Sequence, residues 1–418
     1  MRGMRRPAQL LVVAILLLGG PPAARGAEDP TTIPAPAGAG AMTVGDEIPA
    51  APELAPASDL PEPGRREIGY LNGHFLILNM HGALFHDGVA DIEEDIAYAN
   101  WLNAGAIRVF ATDAGEFVEW DGERIGRRIA DLAPALRAAG LKLIVALVNN
   151  HKAVPGERPD SFGWMDDYYQ LLLPFYQENW RGAYLTFVRQ VIGTVVERGA
   201  RDVVWAWELG NELHTPRQPR AVMPLINAAS VEVRRLDPGA RVLAGTMGVN
   251  HLDPGVHDSP VARALYCYGP ISAYTLHTYD WRTPDLWGDM PIHWDFEQVV
   301  DHPCPNGRRV PILVEELGTS RQLPGVYGAD QEDLRLAQEI NQIRMVLDYL
   351  NEGVVAIGAW SGESPFVRDV SRFDKRRGLT SYGADNLGGG SCYRLPEGDP
   401  IGARCLYERV LRDLPNRP

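Results

Sequence analysis

Short apolar runs alternate with longer amphipathic stretches along most of the chain. A continuous run of four to eight apolar residues is typical of a strand buried on both faces, and a 3.6-residue apolar period is typical of a helix that covers such a sheet. The predicted strands are His74–Met80, Ala106–Ala111, Leu141–Val148, Asp202–Glu208, Arg241–Thr246, Ser272–His277, Val310–Glu316 and Val354–Trp360. The predicted helices are Ile92–Ala104, Ile125–Ala139, Tyr168–Arg198, Ala221–Leu236, Gln331–Asn351 and Pro400–Arg412.

This alternation predicts an α/β protein with a parallel sheet, because parallel strands need helical crossovers between them. Eight strand–helix units favour a closed (β/α)8 TIM barrel over an open sheet. No Gly-x-Gly-x-x-Gly pattern follows the first predicted strand, so a dinucleotide site is not expected. We expect one barrel domain over residues 65–418, with its functional residues at the carboxyl ends of the strands.

The amino terminus has the features of a secretory signal peptide over residues 1–26. Arg2, Arg5 and Arg6 precede the apolar run Leu10–Leu18, and small residues follow it. The run is shorter than the ~18 residues that span a membrane, which favours a cleaved signal peptide. An uncleaved membrane anchor is the alternative. Residues 27–64 are rich in Pro and Ala and predict a disordered linker. Together these features predict an exported bacterial protein, secreted or periplasmic.

Export would make disulfides of the four cysteines, which can pair in three ways. We favour Cys392–Cys405, which would join a Gly-rich loop to the last helix, and Cys267–Cys304, between two late strands. The spacings do not fit a zinc site, and no metal is predicted.

A formal net charge of −14 argues against nucleic acid as a partner, because phosphates would be repelled. Solubility alone is the simpler explanation of that charge. Ten Trp and fifteen Tyr residues provide flat faces of the kind that stack on sugar rings, although most aromatic residues pack in cores.

Polar residues collect where the predicted strands end. The fourth strand continues into Leu209-Gly210-Asn211-Glu212, and the seventh ends at Glu316. Two carboxylates at the ends of two buried strands are the minimum equipment for cleaving a glycosidic bond. The other polar or aromatic residues at strand ends are Arg108, Asn149, Asn150, His151, His277, Tyr279 and Trp360.

This ordered set resembles clan A of the glycoside hydrolases, and family 5 most of all. The matching pieces are Trp207-Glu208-Leu209-Gly210-Asn211-Glu212, His277-Thr278-Tyr279, Glu316-Leu317-Gly318, Arg108 and Trp360. The stretch Leu147-Val148-Asn149-Asn150, together with Trp207-Glu208-Leu209, is similar to the β-mannanase branch of that family. This chain has His151 where that branch usually has an aromatic residue.

The resemblance implies a retaining mechanism in which Glu212 is the general acid and base and Glu316 is the nucleophile. The two carboxyl groups are then expected about 5–5.5 Å apart. The remaining residues would have supporting roles. Arg108 and Tyr279 would hold the nucleophile, and His277 would orient Glu212. Asn211 would donate a hydrogen bond to the sugar 2-hydroxyl, and Trp360 would lie under the sugar. Further contacts with the substrate would come from Asn149, Asn150, His151 and Trp281. No cofactor is implied.

Two neighbouring carboxylates compete with these assignments. Adjacent residues of a strand face opposite sides, so Glu315 and Glu316 are expected on different faces, and the sequence does not say which face lines the barrel. The family pattern selects Glu316. Glu208 competes in the same way with Glu212, and we interpret it as structural.

The sequence therefore predicts an exported retaining β-glycoside hydrolase, best described as endo-β-1,4-mannanase-like, that acts on a β-linked polysaccharide or oligosaccharide. A hydrolase of another β-glycan, such as β-glucan or a bacterial exopolysaccharide, is the alternative within the same class. A non-catalytic carbohydrate-binding barrel is the alternative from another class. We expect a monomer that has no membrane span after signal cleavage and no nucleic-acid partner.

Overall fold

A computed structural model of the 418-residue chain describes the barrel strands and the helices given below. Described are residues 70–71, 74–80, 84, 89–112, 120–150, 172–215, 218–246, 248, 259–267, 269, 271–280, 304–305, 307, 310–319, 343, 345–347, 349, 354–359, 392–393 and 403–413. The predicted signal peptide and linker lie outside these residues, as do His151, Trp281 and Trp360. Tyr279 is described through its backbone alone.

The strands form one sheet in which eight neighbours run parallel. Their bounds are β1 Tyr70–Leu71, β2 His74–Asn79, β3 Ala106–Phe110, β4 Lys142–Ala146, β5 Val204–Glu208, β6 Arg241–Leu243, β7 Tyr274–Asp280, β8 Ile312–Thr319 and β9 Ala356–Ala359. The order is β6-β5-β4-β3-β2-β9-β8-β7, and β1 pairs antiparallel with β2 outside this path. The first barrel strand is therefore β2, and the eighth is β9.

The two ends of this path meet, which nearly closes the barrel. Leu243 at the end of β6 forms a parallel bridge with Ala273 just before β7. The Ser272 amide donates to the Val242 carbonyl over 2.8 Å, and the Val242 amide donates to the Ser272 hydroxyl over 3.0 Å. The predicted (β/α)8 fold is confirmed.

The helices lie in the crossovers between these strands. Their bounds are α1 Val89–Trp101, α2 Gly122–Ala139, α3 Leu173–Gln177, α4 Ala183–Glu197, α5 Met223–Leu236, α6 Pro260–Tyr266 and α7 Ala403–Asp413, with 3-10 turns at Asn179–Arg181, Arg201–Val203 and Pro219–Val222. Residues 343, 345–347 and 349, between β8 and β9, are also helical.

One predicted helix was wrong in its extent, and two elements were missed. The stretch predicted as one helix from Tyr168 is broken in its described part into α3, a 3-10 turn and α4. Asn179 and Gly182, both weak helix formers, lie at the break, and the turn buries Trp180. The short strand β1 and the two-turn helix α6 have too few residues to show a period in the sequence.

The apolar core has two layers, separated by the sheet. The larger layer lies between the sheet and the helices, and the smaller one fills the barrel interior with residues such as Phe75, Ile77, Ile144 and Leu313. Along β2 and β3 the inward residues change from apolar at the amino end to Asn79 and Arg108 at the carboxyl end. The barrel thus has an apolar floor and a polar top.

Both favoured disulfides are present, Cys267–Cys304 and Cys392–Cys405. The first joins the end of α6 to the chain before β8, and the second ties Cys392 to α7. Among the described residues, no helix is long and apolar enough to cross a membrane.

Candidate active site

Arg108, on the second barrel strand, is fully buried at the polar top of the barrel. Its Nε and one terminal nitrogen grip both carboxylate oxygens of Glu208, at 2.7 and 2.6 Å. The same terminal nitrogen also donates to Asn211 Oδ1, at 2.8 Å. The other donates to Glu316 at 2.7 Å and to Asn79 Oδ1 at 3.1 Å. All five N–H groups of the guanidinium therefore have partners, and they tie four barrel strands together.

The charge of Arg108 is secure despite its burial. Burial by itself lowers the pKa of an arginine, but the facing carboxylates of Glu208 and Glu316 raise it well above its usual value. A fixed cation with planar, forked donors suits this position better than a lysine would. Arg108 therefore holds one carboxylate from each of the fourth and seventh strands.

The Asn211–Glu212 turn after the fourth strand is fixed by both neighbouring strands. The Asn211 amide donates to the carbonyl of Val148 over 2.6 Å. On the other side, Gly245 has a φ of 72°, and a Cβ there would stand 1.5 Å from the Gly210 carbonyl oxygen. Glycine is therefore required at position 245, because a side chain would push the turn away.

Glu212 itself has a φ of 56°, in the left-handed region that residues with a Cβ avoid. Such a conformation costs about 1–2 kcal/mol. It persists because the turn is held from both sides, and it aims the carboxylate across the barrel top toward β7. Strain of this kind is concentrated at functional sites, which supports a functional role for Glu212.

His277, on the sixth barrel strand, lies between the two acids that the sequence selected. Its Nδ1 is 2.9 Å from Glu212 Oε1 and 3.5 Å from Glu316 Oε1. Its Nε2 is 3.7 Å from Glu315 Oε2. Burial by itself lowers the pKa of His277, but the charge of Glu316 and the contacts with Glu212 and Glu315 raise it to about 10. The ring is therefore an imidazolium at neutral pH.

Strand β8, the seventh barrel strand, carries a β-bulge that the sequence did not predict. Leu276 pairs with Val314 and His277 pairs with Glu316, so Glu315 is an extra residue between two regular pairs. The expectation that Glu315 and Glu316 face opposite sides was wrong. Because a bulge interrupts strict alternation, both carboxylates reach His277.

Asn79, at the carboxyl end of the first barrel strand, supports this bulge and was missed by the sequence analysis. Its amide nitrogen donates to the Glu315 carbonyl at 2.7 Å and to the Ala359 carbonyl at 3.1 Å. Its Oδ1 accepts from Arg108. A lone amide that ends an apolar run was the available signal, and Asn79 joins the bulge to the arginine network.

Glu208 lies below Glu212 and is fully buried against Arg108. Burial raises its pKa, the charge of Arg108 lowers it, and the balance is a pKa of about 7. Its two oxygens both accept hydrogen bonds from Arg108, which agrees with the interpretation of Glu208 as a structural carboxylate.

Asn149 and Asn150, after the third barrel strand, belong to the wall of the site. Asn149 Oδ1 accepts from the Asn211 side chain at 3.1 Å. Asn150 is fully buried, with its Oδ1 accepting from Tyr176 and its amide nitrogen donating to the His214 carbonyl at 3.3 Å. Both ends of the Asn150 amide are therefore bonded within the protein, which places it behind the residues that face the barrel top.

Among the residues that the structure describes, two sets of side chains have ligand atoms close enough to surround a metal ion. They are Glu208, His277 and Glu315, and Glu212, His277 and Glu316, each with its atoms within 4.8 Å of one another. His277 is shared by both sets. The charge of Glu316 and the contacts with Glu212 and Glu315 raise its pKa to about 10, so a metal ion would have to displace a ring proton at neutral pH. The absence of a metal from the reaction stays a prediction.

Comparison with known proteins finds relatives of this barrel among solved structures. A glycoside hydrolase family 5 mannosidase from Rhizomucor miehei superposes with a TM-score of 0.52 and 14% identity, over 82% of this chain and 92% of that one. The chain shares the (β/α)8 barrel fold of this mannosidase. An exo-β-1,4-mannosidase from Opitutaceae bacterium strain TAV5 gives a TM-score of 0.51 and 15% identity, over 81% of this chain and 59% of that one.

No protein-family model matches the chain, and no curated protein sequence matches it. At identities of 14% and 15% the structural likeness concerns the fold. Within this barrel, Glu212 follows the fourth barrel strand and Glu316 lies in the seventh. One oxygen of Glu212 lies within 4.8 Å of one oxygen of Glu316.

Proposed function

We propose that this protein is a retaining β-glycoside hydrolase. The observation that carries the proposal is the approach of the Glu212 and Glu316 carboxylates, whose nearest oxygens lie within 4.8 Å at the carboxyl end of the barrel. In retaining enzymes the two carboxyl groups are about 5–5.5 Å apart, whereas inverting enzymes leave about 6.5–9.5 Å for a water molecule. The spacing supports direct attack by a carboxylate.

Glu316 is the nucleophile in this proposal. Its Oε1 accepts from Arg108 at 2.7 Å and lies 3.5 Å from the charged ring of His277. Arg108 and His277 hold this oxygen at the barrel top, where the carboxylate would attack the anomeric carbon. The product of this step is a covalent glycosyl–enzyme ester on Glu316.

Glu212 is the general acid and then the general base. It protonates the leaving glycosidic oxygen as the C–O bond breaks, and it takes a proton from the water that hydrolyses the ester. The hydrogen bond from His277 Nδ1 to Glu212 Oε1 stabilises the carboxylate that forms when the proton leaves. Asn211, whose amide already donates one N–H to Asn149, offers its second N–H to the sugar 2-hydroxyl.

A β-1,4-linked mannan or glucomannan is the proposed substrate. Support comes from the Asn149-Asn150 pair with Trp207-Glu208-Leu209, which is similar to the β-mannanase branch, and from two barrels of the same fold that are described as mannosidases. We propose endo cleavage of the polymer after export. The signal-like amino terminus supports this, because polymeric mannan lies outside the cell.

The test is product release from a panel of glucomannan, galactomannan, mixed-linkage β-glucan, carboxymethylcellulose and xylan. We expect sugar release from the mannans, with the anomeric configuration retained in products observed by NMR before mutarotation. Glu316→Ala should abolish release and keep binding to the same polymer. Hydrolysis by that variant would overturn the assignment of the nucleophile, and inverted products would overturn the retaining mechanism.

The same panel separates the alternatives. Activity on a glucan without activity on the mannans would change the proposed substrate and leave the assignment of the two catalytic acids unchanged. Binding without any turnover would favour a carbohydrate-binding barrel. An activated 2-deoxy-2-fluoro-glycoside then decides between an untested substrate and a lost activity, because only a working nucleophile becomes labelled at Glu316, as read by mass spectrometry of peptides.

A further inference from the structure

The carboxylate of Glu315 is fully buried, and the group that faces it is the ring of His277. Among the described residues, neither oxygen of Glu315 has a hydrogen-bond partner, and neither does Nε2 of His277. These groups face one another, with Nε2 3.7 Å from Glu315 Oε2. Burying an ionised carboxylate without a partner costs several kcal/mol, so the ring nitrogen that faces it is the partner that the site provides.

We propose that Glu315 is a positioning residue that holds His277 as a doubly protonated ring, so that the Nδ1–H of His277 stays directed between the catalytic carboxylates Glu212 and Glu316. This inference rests on the proposed function and adds a residue to its machinery. Glu315 touches neither substrate nor reacting atoms, and it acts through His277.

The backbone of β8 keeps Glu315 in this place. Its carbonyl accepts a hydrogen bond from Asn79 at 2.7 Å, and it lies against Gly358, where any Cβ would stand 1.8 Å from the carbonyl oxygen. The residue is the extra one of the bulge, between the pairs that Val314 and Glu316 make with β7. A bulge re-aims a side chain, and this one turns the Glu315 carboxylate toward Nε2 of His277.

The two nitrogens of the His277 ring explain why the charge of the ring matters. A neutral imidazole has one N–H and one acceptor nitrogen, whereas the imidazolium donates from both nitrogens. With a proton on Nε2 facing Glu315 at 3.7 Å, the other N–H is left for Glu212 Oε1 at 2.9 Å, with Glu316 Oε1 at 3.5 Å. A neutral ring with its proton on Nε2 would instead accept at Nδ1 and compete for the proton that Glu212 must give to the leaving group.

Charged groups of the described residues approach His277 from three neighbouring strands. Arg108 on β3 is the cation, Glu208 on β5 and Glu212 after β5 approach from one side, and Glu315 and Glu316 on β8 approach from the other. Burial lowers the pKa of His277, and the charge of Glu316 and the contacts with Glu212 and Glu315 raise it to about 10. Neutralising Glu315 removes one of these contributions and lowers the pKa of the ring.

The experiment compares wild-type protein with Glu315→Gln, which keeps the shape and removes the charge. We expect kcat to fall about 10- to 100-fold with little change in KM, by analogy with the loss seen when the outer partner of a metal-bound histidine is removed. The pH–kcat profile should change on its alkaline side, because the ring loses its proton at lower pH than in the wild-type protein. The matched control is Thr275→Val, which removes another buried polar group of β7, a donor to the Thr246 carbonyl, and should leave the profile unchanged.

A second readout does not depend on turnover. In 15N NMR of the wild-type protein at pH 8, both ring nitrogens of His277 should carry protons, and Glu315→Gln should lower the pH at which one is lost. A neutral His277 ring in the wild-type protein would overturn the inference, and so would a Glu315→Gln variant with an unshifted titration. If every glycan is left intact while the titration shifts as expected, the proposed function fails and the role of Glu315 in charging His277 stands.

Discussion

Gly358 of the last barrel strand faces the backbone carbonyl of Glu315 so closely that a Cβ on the glycine would stand 1.8 Å from the carbonyl oxygen. The bulge that brings two acidic side chains to His277 is possible because this neighbouring position has no side chain. The same carbonyl accepts a hydrogen bond from Asn79, so the bulge is held from one side and given room on the other.

Substitution of Gly358 by Ala should therefore displace the bulge. We expect a loss of about 1–3 kcal/mol in the free energy of unfolding, the usual cost of overpacking, together with a fall in activity as Glu315 and Glu316 shift. Urea denaturation and kcat measurements check this. The control is Gly193→Ala in α4, where a Cβ meets nothing within 4 Å. That change should stabilise the protein by about 0.5–1 kcal/mol. Equal stabilities of the two variants would contradict the close contact.

Arg108→Lys tests the arginine network. A lysine has one charged nitrogen and cannot grip Glu208 with two parallel hydrogen bonds while reaching Glu316, so a buried carboxylate loses its partner. We expect a loss of about 3–5 kcal/mol in the free energy of unfolding and of most activity. Arg137→Lys, at a solvent-exposed ion pair with Asp202, is the control and should change neither quantity measurably. A mild effect at Arg108 would mean that the carboxylates do not depend on its forked geometry.

The raised pKa of Glu208 predicts that the stability of the protein depends on pH. Its pKa in the folded protein is about 7, against 4.5 as the ordinary value, so the folded state holds a proton that the unfolded state has released between these pH values. Its contribution to stability is therefore fully present below about pH 4.5 and is lost as the pH rises through 7. Glu208→Gln removes this titration. Urea denaturation between pH 4.5 and 7.5 should show the wild-type protein losing stability relative to the variant, and parallel curves would contradict the raised pKa.

The two disulfides should differ in their contribution to stability. Cys267–Cys304 joins residues 37 apart, and Cys392–Cys405 joins residues 13 apart. If disulfides act through loop entropy, replacing the first pair by Ala should cost about 1 kcal/mol more than replacing the second. Thermal and urea denaturation without reductant measures both losses. With reductant, the wild-type protein and the two double variants should approach one another.

The sequence by itself determined the fold and the identity of the two candidate catalytic acids. Strands buried on both faces need continuous apolar runs, and each of the eight barrel strands overlaps a predicted run. Because the carboxyl ends of parallel strands meet at one end of a barrel, the polar residues that follow those runs were expected together. Glu212, Glu316, Arg108 and His277 do lie together there.

Only the tertiary structure decided how these groups are held. Asn79, Arg108 and Glu208 are separated by 29 and 100 residues, so no local pattern links them. The bulge at Glu315 reverses the rule that adjacent strand residues face opposite sides, and it depends on what β7 and β9 present to β8. Periodicity in a sequence describes one element at a time. The register between elements, and the room that Gly358 leaves for a carbonyl, exist only once the strands are paired.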